Sequence, residues 1–162
     1  MVPLSDAELI QRLLLAAAVG ALLGAERELR RKSAGFRTNI LIAMGSALFT
    51  IVSMTLAPNA SDPTRMAAQI VTGIGFLGAG VILHNDNRVQ GLTTAATVWV
   101  NAALGVAAGG GQYRVAVLGA AITLSVLLIL GPLERAIERR AMKADGGNGA
   151  AGQRATREEP YK

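Results

Sequence analysis

Residues 72–82 read TGIGFLGAGVI, and within them GIGFLG matches G-x-G-x-x-G, the fingerprint of a loop that cradles a dinucleotide pyrophosphate. The fingerprint has meaning only in its setting: a strand before it, a helix after it, and an acidic residue about 20 positions on to hold the ribose. Here Asp86 follows Gly80 by six residues, and no further acid appears until Glu134. The stretch also sits in a segment, 66–85, that carries no Asp, Glu, Lys or Arg. A phosphate-binding loop does not belong in such surroundings. A helix buried in lipid does.

The rest of the chain follows the same pattern. Of its 162 residues 51% are hydrophobic and 17% charged, where a soluble domain carries about 25% charged residues; the mean hydropathy is +0.40. Charge is also absent from 38–61, 89–113 and 115–133, and the segment 9–25 holds a single charge, Arg12. A helix needs about 20 mainly apolar residues to cross the hydrocarbon core. The chain therefore reads as an all-α, polytopic membrane protein, a bundle of about five transmembrane helices near 8–25, 37–57, 66–84, 92–109 and 113–131. The first is read as a retained span, because Asp6 and Glu8 stand where a signal peptide would be basic. The lipid bilayer is the expected surrounding.

Basic residues outnumber acidic ones, 16 to 11, but their placement argues against a nucleic-acid partner. Arg27, Arg30, Arg31, Lys32 and Arg37 crowd the first loop, and Arg135, Arg139, Arg140 and Lys143 follow the last span. This is the pattern of the positive-inside rule, and it predicts the N-terminus outside and the C-terminus inside. Residues 1–132 thus form the transmembrane domain. For 133–144, where Leu133, Ala136, Ile137 and Ala141 share a helical face, either a short cytoplasmic amphipathic helix or a solvated continuation of the fifth helix is expected. The Gly-rich, core-poor tail 145–162 is expected to be disordered.

Helices in lipid associate through close backbone approach and interhelical hydrogen bonds rather than through apolar burial. Gly73, Gly75, Gly78 and Gly80 spread around more than one face of the third span. That spread predicts a central helix touching neighbours on all sides, or alternatively a break exposing backbone to an ion or substrate. Polar residues inside spans are candidate sites: Gln69 and Thr72 in the third, and Thr93, Thr94, Thr97 and Asn101 in the fourth. Asn101 lies about 12 Å and Thr72 about 9 Å below the outer ends of their spans, so the two are expected to be level and within reach of a hydrogen bond, as interhelical glue or as a substrate contact. Glu8 and Arg12 form an i, i+4 pair that snorkelling explains. Glu26 and Arg37 flank the first loop, where they either pair across the helix ends or remain a weak interfacial pair.

There is no Cys, and His84 is the only His, so no nucleophile–base set exists: no catalytic residue and no enzyme activity is expected. No cofactor is expected either. No carboxylate lies within the third to fifth spans, and which residues, if any, meet a metal stays open.

The strings GALLGAEREL, AGFRTNILIAMGSALFT, AAQIVTGIGFLGAGVIL and GLTTAATVWV, in this order from about Leu13 to Leu130, resemble the MgtC/SapB family of bacterial inner-membrane proteins. The resemblance implies a multi-pass inner-membrane protein associated with magnesium homeostasis and, in some pathogens, with virulence. Some family members act on other membrane machines, ATP synthase among them. Carried over by motif, the family's residues are Glu26, Arg27, Arg37, Thr38, Gln69, Gly73, Gly75, Gly78, Gly80, Gly91, Thr93 and Thr94. Longer members continue into a cytoplasmic regulatory domain, where about 30 residues follow the spans here, so a short form is expected. The implied role is a regulator or accessory factor in magnesium and stress homeostasis, working through a membrane partner. The alternative is a small transporter or channel for Mg²⁺ or another ion, lined by the third and fourth spans. A homo-oligomer, most simply a homodimer, is expected because so small a chain can hardly enclose a pore alone.

Overall fold

A computed structural model describes residues 4–56, 65–85 and 88–132. Five helices make up nearly all of it: α1 Asp6–Leu29, α2 Phe36–Leu56, α3 Arg65–Gly80, α4 Leu92–Gly109 and α5 Tyr113–Pro132. Four of them, all but α3, are long and apolar enough to cross a membrane. The all-α, multi-span reading therefore holds. The expected amphipathic helix at 133–144 and the tail 145–162 lie outside the described residues.

The third apolar segment departs from expectation. Its helix has 16 residues, about 24 Å of rise against a hydrocarbon core of about 30 Å. It ends at Gly80, and Leu83–Asn85 (β1) pairs antiparallel with Arg88–Gln90 (β2) in a two-stranded hairpin. Gly78 and Gly80 weaken the helix near its end, and the β-branched Val81 and Ile82 favour extended backbone beyond it. The chain then turns into α4 through Gly91 in the left-handed region, φ 93°. A side chain there would collide with the Val81 carbonyl. Only glycine fits both the torsion and the space.

The chain through Leu124 is one compact unit, and the described part of a second is the end of α5 from Ser125. Within the first unit, α2 packs against both α1 and α4. Ser5 caps α1 by accepting from the Glu8 amide, and Asp6 and Glu8 complement the positive end of its dipole. The contacts are built from small residues. A Cβ on Gly20 would lie 2.6 Å from the Asn39 carbonyl oxygen, and one on Gly24 2.7 Å from the Phe36 Cα. Gly105 and Gly109 of α4 meet the backbone of α2 at Ala43 and Ala47 in the same way. Ala16, Ala43, Ala47, Ala108 and Ala116 fill the centre, all fully buried. A second apolar cluster, Ile42, Ile74, Val98 and Ala102, ties α3 to α2 and α4.

Candidate functional site

Three helices meet at one side of this unit: the last turns of α1, the first turns of α2, and α4 from Thr94 to Asn101 at its middle. Their polar side chains face inward, although each lies in or beside a long apolar segment. Arg27 is buried, and its Nη2 donates to Thr94 Oγ1 at 2.5 Å, joining α1 to α4. Glu26 is also buried; its Oε1 lies 2.5 Å from Arg30 Nε and its Oε2 4.0 Å from Arg27 Nη1. Asn39, fully buried, donates through Nδ2 to the carbonyls of Ala34 and Gly35, at 2.6 and 2.9 Å, which holds the turn into α2. Its own backbone carbonyl accepts from Asn101 Nδ2 at 2.7 Å, and its Oδ1 accepts from the same nitrogen at 3.2 Å. So α2 is latched to α4 four residues before Gly105 meets Ala43. Thr97, a turn further along α4 from Thr94, returns its hydroxyl to the Thr93 carbonyl.

Each group in this layer is costly alone in a low-dielectric setting, and the partners offset that cost. Geometrically the layer is a lock that fixes how three helices cross. Asn101 Oδ1 has no hydrogen-bond partner within it.

At the opposite end of α4 a second lock is made by Arg12, which is buried. Its Nη1 donates to the Gly109 carbonyl at 2.7 Å and its Nη2 to Glu8 Oε1 at 2.5 Å. A helix leaves its last carbonyls without intrahelical partners, and a cation there also meets the negative end of the dipole. Arg12 is therefore more than a snorkelling side chain.

Of the residues singled out in the sequence, Glu26, Arg27, Thr94 and Asn101 join the first lock. Arg37 does not. It is exposed, and Glu26 is taken by Arg30 one turn along its own helix, so the Glu26–Arg37 pair is not formed. Thr38 and Thr93 are exposed as well. Thr72 is exposed on α3 and turns back to the Ala68 carbonyl at 3.5 Å, so the expected contact with Asn101 is absent; Asn101 has gone to Asn39 instead.

The glycines of α3 do not make a central helix within the chain. A Cβ on Gly73, Gly75 or Gly80 would meet nothing within 4 Å, and only Gly78 is packed, against Ala95. Nor is the helix broken at them, since it runs unbroken to Gly80. Gln69 and Gly73 instead line, with Thr38, Ile42, Gly45 and Leu77 among others, a groove of about 650 Å³ between α2 and α3. Among the described residues no three His, Cys, Asp or Glu side chains gather as a metal site would require.

Sequence reasoning passed over Asn39 and the tight glycines, and paired Arg12 with Glu8 without finding its bond to Gly109. The signals were present. Asn39 is an amide one turn into an apolar segment, as Asn101 is. Arg12 is the lone charge of its segment. Gly20/Gly24 and Gly105/Gly109 are two G-x-x-x-G pairs, the spacing at which helix backbones approach in membranes.

The sequence profile of the MgtC family matches residues 13–136. Among curated proteins, the chain is 48% identical over 134 residues to the "Putative magnesium transporter YhiD" of Escherichia coli K12, covering 78% of this chain and 62% of that protein. It is 47% identical over 137 residues to the "Protein MgtC" of Salmonella typhimurium LT2, covering 85% and 58%. An uncharacterized protein of Synechocystis sp. is 48% identical over 135 residues, covering 83% and 57%. The chain thus spans about three-fifths of the length of these relatives. No solved structure matches it.

Proposed function

The chain belongs to the MgtC family, and we propose that it is an integral protein of the bacterial inner membrane that serves magnesium and stress homeostasis as a regulator or accessory factor, acting on a membrane-protein partner. The observation that carries this reading is the polar lock. Arg27, Thr94, Asn39 and Asn101 are spent on one another and hold α1, α2 and α4 in fixed register. Side chains used in this way make a scaffold and do not line a path for a hydrated ion. ATP synthase, a partner of some family members, is one candidate. A second copy of the chain is another, giving a homodimer.

The orientation follows from charge. The lock's end of the unit carries Arg30, Arg31, Lys32 and Arg37, which the positive-inside rule assigns to the cytoplasm, with the N-terminus outside. Reporter fusions after Lys32 should report cytoplasm; an outside signal there reverses the orientation.

The second reading, a small ion transporter, is favoured by the name of the Escherichia coli relative. Mg²⁺ flux into liposomes holding only the purified chain separates the two. The regulator reading expects no flux above empty liposomes, together with restored growth at low Mg²⁺ in a bacterium deprived of its own family member. Selective, saturable Mg²⁺ flux overturns it.

A further inference from the structure

The groove between α2 and α3 is used neither by the lock nor by the reading above. Its walls are apolar apart from a few hydroxyl and amide groups, and two glycines face it from opposite sides, Gly45 on α2 and Gly73 on α3. A Cβ at either would meet nothing within 4 Å. These glycines therefore widen a space where the glycines of α1 and α4 close one. Along α2 the lining runs from Thr38 to Phe49, about 16 Å of helix rise. That is the depth of one leaflet, half of a hydrocarbon core of about 30 Å.

The ends of the groove differ. Arg37 immediately precedes Thr38, is exposed, and makes no ion pair with any described residue. Arg31 and Lys32, also exposed, lie in the loop leading to the same end of α2. Among the described residues no acidic side chain lines the groove. An apolar channel one leaflet deep, with unpaired cations at its interfacial end, matches an amphiphile with a fatty chain and an anionic head. A guanidinium suits a phosphate oxygen pair in particular.

We propose that the α2–α3 groove is a binding site for an anionic phospholipid of the surrounding leaflet, with one acyl chain between Gly45 and Gly73 and the phosphate at Arg37. The site assigns Arg37 and Thr38, which the lock leaves out, to a lipid headgroup.

Retention of phosphatidylglycerol and phosphatidylcholine by the full-length purified chain, measured by native mass spectrometry from a detergent that preserves bound lipid, tests the site. The wild type should retain phosphatidylglycerol in preference. Arg37→Gln, an exposed change, should reduce that preference roughly fivefold, the factor equivalent to about 1 kcal/mol for one basic residue at an anionic surface. Gly73→Leu should fill the groove and lower retention of both lipids, whereas Gly80→Leu, equally open but outside the lining, should not. Unchanged headgroup preference in Arg37→Gln overturns the proposal. So does a Gly73→Leu chain that retains lipid fully, or one that turns a dimer into monomers, which would assign the groove to a second copy.

Discussion

Two glycine-rich regions of the molecule do opposite things. In α1 and α4, Gly20, Gly24, Gly105 and Gly109 each stand where an added methyl would strike the backbone of α2. In α3, a denser run of glycines meets open space at three of four positions, and Phe76 beside them is 81% exposed. The lesson is about spacing. Glycines four apart keep to one helical face and let a neighbour approach along it, whereas the α3 glycines divide between two opposite faces, Gly73 with Gly80 and Gly75 with Gly78, and neither face repeats the four-residue spacing of a close seam. Polar groups follow the same division: the locked amides and Arg27 lie among α1, α2 and α4, while Thr72 of α3 bonds only within its own helix.

The contrast can be broken by mutation. The largest loss is expected from Arg27→Ala, which leaves the buried Thr94 hydroxyl without its donor and takes away the second cation beside Glu26, at about 3 kcal/mol; a thermal melt of the detergent-solubilised chain should fall sharply or give no folded peak. Gly105→Leu should come next, at about 1–3 kcal/mol for overpacking against α2, read as a lowered melting temperature and a broadened size-exclusion profile. Asn39→Ala and Asn101→Ala should each cost less. Their double-mutant cycle should show a coupling of roughly 0.6–1.7 kcal/mol, the range for interhelical hydrogen bonds in membranes. Glu26 and Arg37, by contrast, should combine additively. The smallest effect belongs to Gly75→Leu, expected within about 0.5 kcal/mol of wild type. A Gly75 variant that melts as badly as the Gly105 variant would erase the distinction between the two regions.

Much of the architecture was legible because lipid imposes a strict rule on composition: long stretches with no charge mark α2, α4 and α5, one with the single charge Arg12 marks α1, and Gly109-Gly-Gly111 marks the last turn correctly. The third helix was misjudged in length because hydropathy continues through Val81, Ile82 and Leu83 after helicity has stopped. Membership of the polar layer was half legible. Burial cost flags Asn101 and Thr94 as residues needing partners, but which partner depends on how three helices cross, and a linear pattern does not carry that. Glu26 illustrates the gap: several arginines follow it along the first loop, and Arg30, an i, i+4 step away, wins over Arg37 because the helix already holds it in place. The central placement expected for α3 came from taking glycines on several faces as contacts on several faces, whereas three of the four face open space.

The two locks also carry a timetable. Arg27 waits for Thr94, 67 residues later, and Arg12 for Gly109, 97 residues later. At a synthesis rate of roughly 5–20 residues per second, the first interval is about 3–13 s, during which Arg27 lacks its hydrogen-bond acceptor and has the Glu26 carboxylate beside it, 4.0 Å away in the folded unit. The glycine seam of α1 with α2 can close early, since α2 follows α1 directly in the chain. The arrival of α4 then supplies a hydrogen-bond acceptor to each guanidinium, the Thr94 hydroxyl to Arg27 and the Gly109 carbonyl to Arg12, which Glu8 already holds on α1. A nascent chain halted before Leu92 should accordingly be a favoured substrate for membrane quality-control proteases, and one extended past Gly109 should abruptly escape them.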